Sequence, residues 1–188
     1  SEQVSPYYEA SLSSFSKSRA TRVMNTLNMT WQIMEHLELS GNFTFTKDFN
    51  KFDQYISFKS EYFSDLPLDS AELAGQYKIR RENTTIYEED LVLNYSNQFD
   101  RHNLNVSLGI HGYAAKDYSD NYIGVGLPSD HMDYISFAKT YAFNTRPGGR
   151  EAFDRLFSGY LSGSYNFDQR YGVDVSLRAD KSSRLAPK

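Results

Sequence analysis

Along LELSGNFTFT, residues 37 to 46, apolar and polar positions alternate without a break. Leu37, Leu39, Gly41, Phe43 and Phe45 fall on one parity, Glu38, Ser40, Asn42, Thr44 and Thr46 on the other. A strand turns successive side chains to opposite faces, so this stretch predicts a two-faced β-strand. Five further segments repeat the pattern. RVMNTLNMTW (22 to 31) sets Val23, Leu27, Met29 and Trp31 against Arg22, Thr26, Asn28 and Thr30, with Met24 and Asn25 as exceptions. EEDLVLNYSNQF (88 to 99) sets Leu91, Leu93, Tyr95 and Phe99 against Asp90, Asn94, Ser96 and Gln98. Residues 103 to 112, 153 to 167 and 171 to 180 carry Leu104, Val106, Leu108 and Ile110, then Phe157, Leu161, Tyr165 and Phe167, then Tyr171, Val173, Val175 and Leu177 on their apolar parities.

The six strands, near 22–31, 37–46, 84–99, 103–113, 153–167 and 171–181, come as three hairpins joined by the short connections QIMEH (32 to 36), DRH (100 to 102) and DQR (168 to 170). Connections this short force antiparallel neighbours. Long links, Lys47 to about Thr84 and Ala114 to about Ala152, separate the hairpins. Short turns on one rim and long loops on the other characterise outer-membrane barrels, whose strands need about ten residues to span. The pattern therefore predicts an all-β fold: an antiparallel transmembrane β-barrel segment of six strands with long extracellular loops. Residues 1–21 read as a loop or strand lead-in, and 22–188 as a partial barrel domain. Within the links, Tyr77 to Tyr87 extends the third strand, SAELAGQ (70 to 76) and GREAFDRLF (149 to 157) each suit a helical turn, and SSRLAPK reads as loop after the sixth strand.

The polar parities are mostly Ser, Thr, Asn and Gly, which suit a crowded, watery lumen better than a face open to bulk solvent. On the apolar parity, Trp31, Tyr95, Phe99, Tyr165, Phe167 and Tyr171 lie beside the short turns, and Phe45, Tyr87 and Phe153 towards the long links. Two aromatic bands around an aliphatic middle are what headgroup interfaces select. The rival reading is a soluble β-sandwich or barrel ligand-binding module whose aromatics cover a core; a small barrel built from several copies of the chain is a third. Six strands are too few to enclose a lumen, since the smallest membrane barrels need about eight.

Composition narrows the partners. A formal net charge of -4 without a Lys/Arg stripe offers no footprint for nucleic acid. The chain has no cysteine, which removes disulfides, thiolate metal sites and Cys nucleophiles. No run of about 18 apolar residues exists to form a helical span. A mean hydropathy of -0.62 does not weigh against a barrel, whose strands give lipid only every second residue.

The stretch FSGYLSGSYNFDQRYGVDVSLRADKSSRLAP (157 to 187) resembles the SusC/RagA-type TonB-linked transporters of Bacteroidetes outer membranes. Those carry an aromatic strand, a short turn with a basic residue and Tyr, and a strand running into Arg-x-Asp-Gly-Ser-Ser-Arg-Phe. Arg178, Asp180, Ser182, Ser183 and Arg184 match, while Lys181 replaces Gly and Leu185 replaces Phe. LNMTWQIMEHLELSGNFTFT and LVLNYSNQFDRHNLNVSLGIHG are weaker echoes of the same family. The resemblance implies a barrel of about 22 strands with a plugged lumen, a plug contacted by TonB, a SusD-like lipoprotein lid, and import of oligosaccharides or peptides across the bacterial outer membrane. This chain would supply wall and extracellular loops. Its partners would be the rest of the barrel and plug, the lipoprotein, TonB through the plug, and outer-membrane lipid.

No G-x-S-x-G, H-E-x-x-H, P-loop or dinucleotide fingerprint is present, so neither an enzyme nor a cofactor is expected. His36 and His102 lie at short turns, His111 on a lumen-facing parity and His131 in a long link, a scatter without metal-ligand spacing. The link KDYSDNYIGVGLPSDHMDY (116 to 134) holds Asp117, Asp120, Asp130 and Asp133 but not the Asp/Asn register and closing Glu of a calcium loop. Tyr118, Tyr122 and Tyr134 offer rings that stack on sugars or on a lid protein, and His111 a hydrogen bond; these four are the expected substrate contacts. Arg178 and Asp180 share a parity and are expected to pair. Asn28, Asn42, Asn83, Asn94 and Asn105 open N-x-S/T sequences that arise from alternation itself.

Overall fold

The computed structural model describes residues 6–185. A short helix α1 (Pro6–Ser11) precedes β1 (Phe15–Met34), β2 (Leu37–Ile56), β3 (Gln76–Phe99), β4 (His102–Val125), the two-residue β5 (Thr140–Tyr141), β6 (Gly148–Phe167) and β7 (Tyr171–Leu185). All seven lie in one sheet, ordered β1-β2-β3-β4-β6-β7 with β5 pairing β4. The three expected hairpins are β1-β2, β3-β4 and β6-β7. Asp168 and Gln169 both take positive φ, 51° and 55°, and Arg170 N–H donates to the Phe167 carbonyl at 3.0 Å. That is the turn whose twist matches its flanking strands, and Asp tolerates the left-handed region through its short polar side chain. Asp100 does the same at the β3-β4 turn, with φ 51°.

The strands run past the alternating stretches. β1 and β2 have 20 residues each, β3 and β4 have 24 each, and β3 begins at Gln76, so Tyr77 to Tyr87 is strand. A 3₁₀ turn over Leu68–Leu73 supplies the helical turn expected near residue 70. The second expected helical turn is absent: 149 to 157 belongs to β6, whose Phe153 pairs Leu185 and whose Phe157 pairs Lys181. Ladder pairing with β7 overrides local helix preference there. The same register corrects the loop-like end of the chain, because Lys181 to Leu185 is strand; Ala186, Pro187 and Lys188, and the first five residues of the lead-in, lie outside the described residues. Lys181 stands in regular pairing and needs no glycine conformation.

Contacts divide the chain into two compact units. The wall unit comprises Arg22–Lys47, Thr84–Asp117 and Glu151–Lys188; the loop unit comprises Ser1–Thr21, Asp48–Asn83 and Tyr118–Arg150. The loop unit has a core of Tyr55, Tyr77, Ile79 and Leu127, with Phe15, Tyr122, Ile135 and Ala138 against it. Gly75 and Gly126, at φ 85° and 79°, let two chain segments cross there, with Gly126 N–H donating to the Gly75 carbonyl at 3.0 Å. The wall unit has no comparable cluster. Among its described residues Ala115 alone is a buried hydrophobic side chain.

Candidate functional site

The two faces of the wall unit carry its chemistry. On the apolar face, Leu108 is 53% exposed, Val175 56% and Leu177 63%, with Trp31, Leu91, Ile110, Phe157, Leu161 and Val173 also exposed. Burying one such side chain fully is worth about 1.5–3 kcal/mol. A face with so many left open requires a cover, and none of these side chains is sealed beneath a second sheet. The sandwich alternative fails here, since a sandwich packs two sheets around a shared core.

The polar face is a hydrogen-bonded ladder. Ser96 Oγ donates to Asn105 Oδ1 at 2.7 Å, Ser107 Oγ to Asn94 Oδ1 at 2.7 Å, and Thr84 Oγ1 to Asp117 Oδ1 at 2.6 Å. His111 Nδ1 lies 2.7 Å from Asp90 Oδ1. Arg178 Nε donates to Asp180 Oδ1 at 2.9 Å, and its Nη2 to Ser158 Oγ at 3.3 Å, so the expected pair forms and holds a buried serine. The first four contacts reach from β3 to β4, and the Arg178–Ser158 bond reaches from β7 to β6, so cross-strand polar pairs link neighbouring strands on this face.

At the turn ends of β3, β4 and β6, His102 stacks on Phe99 with centroids 5.3 Å apart and lies 5.0 Å from Phe167, while its Nδ1 sits 2.6 Å from Tyr165 Oη. Phe45 and Tyr87 pair at 5.3 Å near the middle of β2 and β3, because both strands run on well past the alternating stretches. Phe99, Tyr165 and Phe167 of the expected turn-side band thus gather around His102, and Phe45 and Tyr87 of the expected second band touch each other.

In the loop unit the chemistry centres on Asp130. Ser57 Oγ and Tyr55 Oη donate to its Oδ1 at 2.6 and 3.0 Å, and Lys59 Nζ lies 3.4 Å from Oδ2. The Ser57 hydrogen bond, reinforced by Tyr55 and Lys59, holds the Asp130 carboxyl below its usual range. Burial, with Asp130 as hydrogen-bond acceptor, pushes Tyr55 up to about 12. Burial, with nearby Asp53, does the same for Tyr77, also to about 12. Glu9 of α1 accepts from Ser60 Oγ at 3.0 Å and Glu61 N–H at 2.6 Å, fastening the helix to residues 60–61.

The four expected substrate contacts divide between the units. His111 belongs to the wall and is held by Asp90. Tyr118, Tyr122 and Tyr134 belong to the loop unit. Tyr134 is exposed with its ring 5.8 Å from Tyr77, Tyr122 is half-buried and donates to Asp120 at 3.4 Å, and Tyr118 is exposed. Asp130 serves as an anchor for its link, a role that only its distant partners reveal. Among the described residues no group of three or more His, Cys, Asp or Glu is placed to hold a metal.

A one-layer antiparallel wall, apolar and aromatic-banded on one face and polar-laddered on the other, is a segment of a transmembrane β-barrel. Solved structures give the likeness a particular form. The chain is similar to the RagAB peptide importer in its open-open state, with a TM-score of 0.81 and 18% identity over 95% of this chain and 19% of that one. A second structure of the RagAB peptide transporter matches equally, at 0.81 and 18% over 94% of this chain and 19% of that one. The closed-closed state of the importer gives 0.73 and 20%, over 89% of this chain and 18% of that one. The chain thus spans about a fifth of the length of these neighbours. No protein-family model matches the sequence, nor does any curated protein sequence.

Proposed function

We propose that the chain forms wall and loops of a TonB-dependent outer-membrane transporter of SusC/RagA type, which imports peptides or oligosaccharides together with a SusD-like lipoprotein. The observation that carries this reading is the likeness to the RagAB importer over 95% of the chain. It is supported by an apolar face whose exposure a bilayer would relieve, and by the Arg178, Asp180, Ser182, Ser183 sequence on β7. Peptide, the cargo named for RagAB, is the first substrate class to test.

In this reading the segment does no bond-making. The exposed rings of Tyr118 and Tyr134 contact substrate or lid, Tyr122 supports them from the loop-unit core, and His111 lends the lumen a hydrogen bond set by Asp90. The test is uptake by cells carrying the intact transporter. Import of a labelled oligopeptide mixture or oligosaccharide set is expected, and it should stop when TonB is removed. Uptake of either cargo that continues without TonB would refute the assignment.

A further inference from the structure

Six charged strand residues stand on the apolar parity of the wall unit: Lys47, Lys116 and Glu151, and the three considered next. Glu89 shares its parity with Leu91 and Leu93 on β3, Arg155 with Phe157 and Leu161 on β6, and Lys181 with Val175 and Leu177 on β7. They line one groove of about 500 Å³ with Phe43, Tyr87 and Phe157. In the ladder Phe157 faces Lys181 and Arg155 faces Ser183, which puts Arg155 and Lys181 on diagonally adjacent positions of one face. Like charges so placed repel. Neither forms an ion pair among the described residues, whereas neighbouring Lys116 is neutralised by Glu151 at 2.5 Å. The Glu89 carboxylate lies against Gly112 and not within ion-pair distance of either cation. The groove therefore holds two unneutralised cations and one anion.

Its place along the strands gives this meaning. Phe157 and Lys181 stand about ten residues from the β6-β7 turn, the length that crosses the hydrocarbon of a bilayer. Beyond that depth the apolar face meets headgroups, where long basic side chains reach phosphate and aromatic rings sit at the interface. We propose that Arg155 and Lys181 clamp the phosphate of an anionic lipid headgroup, with Phe43, Tyr87 and Phe157 against the first carbons of its chains. Guanidinium and ammonium groups supply charge-assisted hydrogen bonds to phosphate oxygens, and Glu89 sets the far limit of the anion's position. This site rests on the barrel reading above, because only a lipid-facing wall presents the groove to a headgroup.

The test uses the intact transporter in nanodiscs of mixed phosphatidylglycerol and phosphatidylcholine, with tightly retained lipid identified by native mass spectrometry. The wild type should enrich phosphatidylglycerol. Removing two surface cations with Arg155→Gln/Lys181→Gln should weaken retention by about thirtyfold. Glu89→Gln should strengthen it, and Arg170→Gln, at the turn, should leave it unchanged. Inorganic phosphate should not displace the lipid. Undiminished retention in the double variant overturns the site, as does displacement by phosphate alone, which would mark a site for soluble anions. Leu108→Cys should react with a bilayer-confined thiol probe: labelling at position 108 without lipid enrichment removes only the lipid site, whereas no labelling removes the barrel reading and the site together.

Discussion

The ring of Tyr160, on β6, lies across Gly109, on β4, so closely that a methyl group at position 109 would occupy the same space. Gly109 is buried, and the aromatic ring covers the bare backbone on the polar face. Overpacking of this kind costs about 1–3 kcal/mol. Gly109→Ala is expected to lower the unfolding temperature of the intact barrel, and Tyr160→Ala in that background should recover most of the loss. A double-mutant cycle of thermal unfolding checks this, and additive losses would show that the two residues do not compete for space.

Leu108 sits one residue away and faces the other side. Arg placed on a lipid face costs about 2–4 kcal/mol near the bilayer midplane. Leu108→Arg is therefore expected to impair insertion into lipid vesicles, while Ser107→Arg, on the polar face beside Asn94, should insert nearly as the wild type does. Folding yield into vesicles, followed by heat-dependent electrophoretic mobility, compares them. Equal yields would contradict the assignment of faces.

Asp130 joins its link to β2 through Ser57 and Tyr55. Asp130→Asn removes the charge that Lys59 faces and weakens the bonds from both hydroxyls. A lost hydrogen bond to a charged group is worth about 1.5–3 kcal/mol, so local opening should become more frequent. Limited proteolysis should cut residues 126 to 139 faster in the variant, with cleavage in the wall strands unchanged.

The same anchor responds to pH at both extremes. The Asp130 carboxyl is held below its unfolded value of 3.8, so its contribution is present above that pH and disappears as acid takes the pH down through the folded value. Tyr55 is raised from 10.0 to about 12, so its contribution is complete below pH 10 and is lost as the pH rises towards 12. The hydrogen-exchange protection factor of residues 126 to 139, which removes the intrinsic pH dependence of amide exchange, should decrease below about pH 4 and above about pH 10, with a flat interval between. Tyr55→Phe should shrink the alkaline limb to the part that Tyr77, likewise raised to about 12, contributes.

The strands, their hairpins and the two faces were legible because each is a local property. Period-two alternation selects the face, and a two- or three-residue turn selects the antiparallel partner. Arg178 and Asp180, two residues apart on one strand, were legible for that reason, and the Asp90–His111 contact follows once the turn at Asp100 sets the register. Residues 149 to 157 were misread because GREAFDRLF has helical preference by itself, while its pairing with β7 lies across a turn that the local window does not include.

The loop unit was hardly legible. Asp130 meets Ser57 across 73 positions and Tyr55 across 75, and no periodicity in the intervening chain signals either contact. Arg155 and Lys181 stood visibly on the apolar parity in the sequence, yet their diagonal adjacency needed the ladder register between β6 and β7. Strand identity, facing and turn placement were thus written in residue order, since they depend on neighbours a few positions apart. Which distant side chains meet over the links, and which charges share one groove, emerged from three-dimensional packing, since chain closure over tens of residues leaves no local trace.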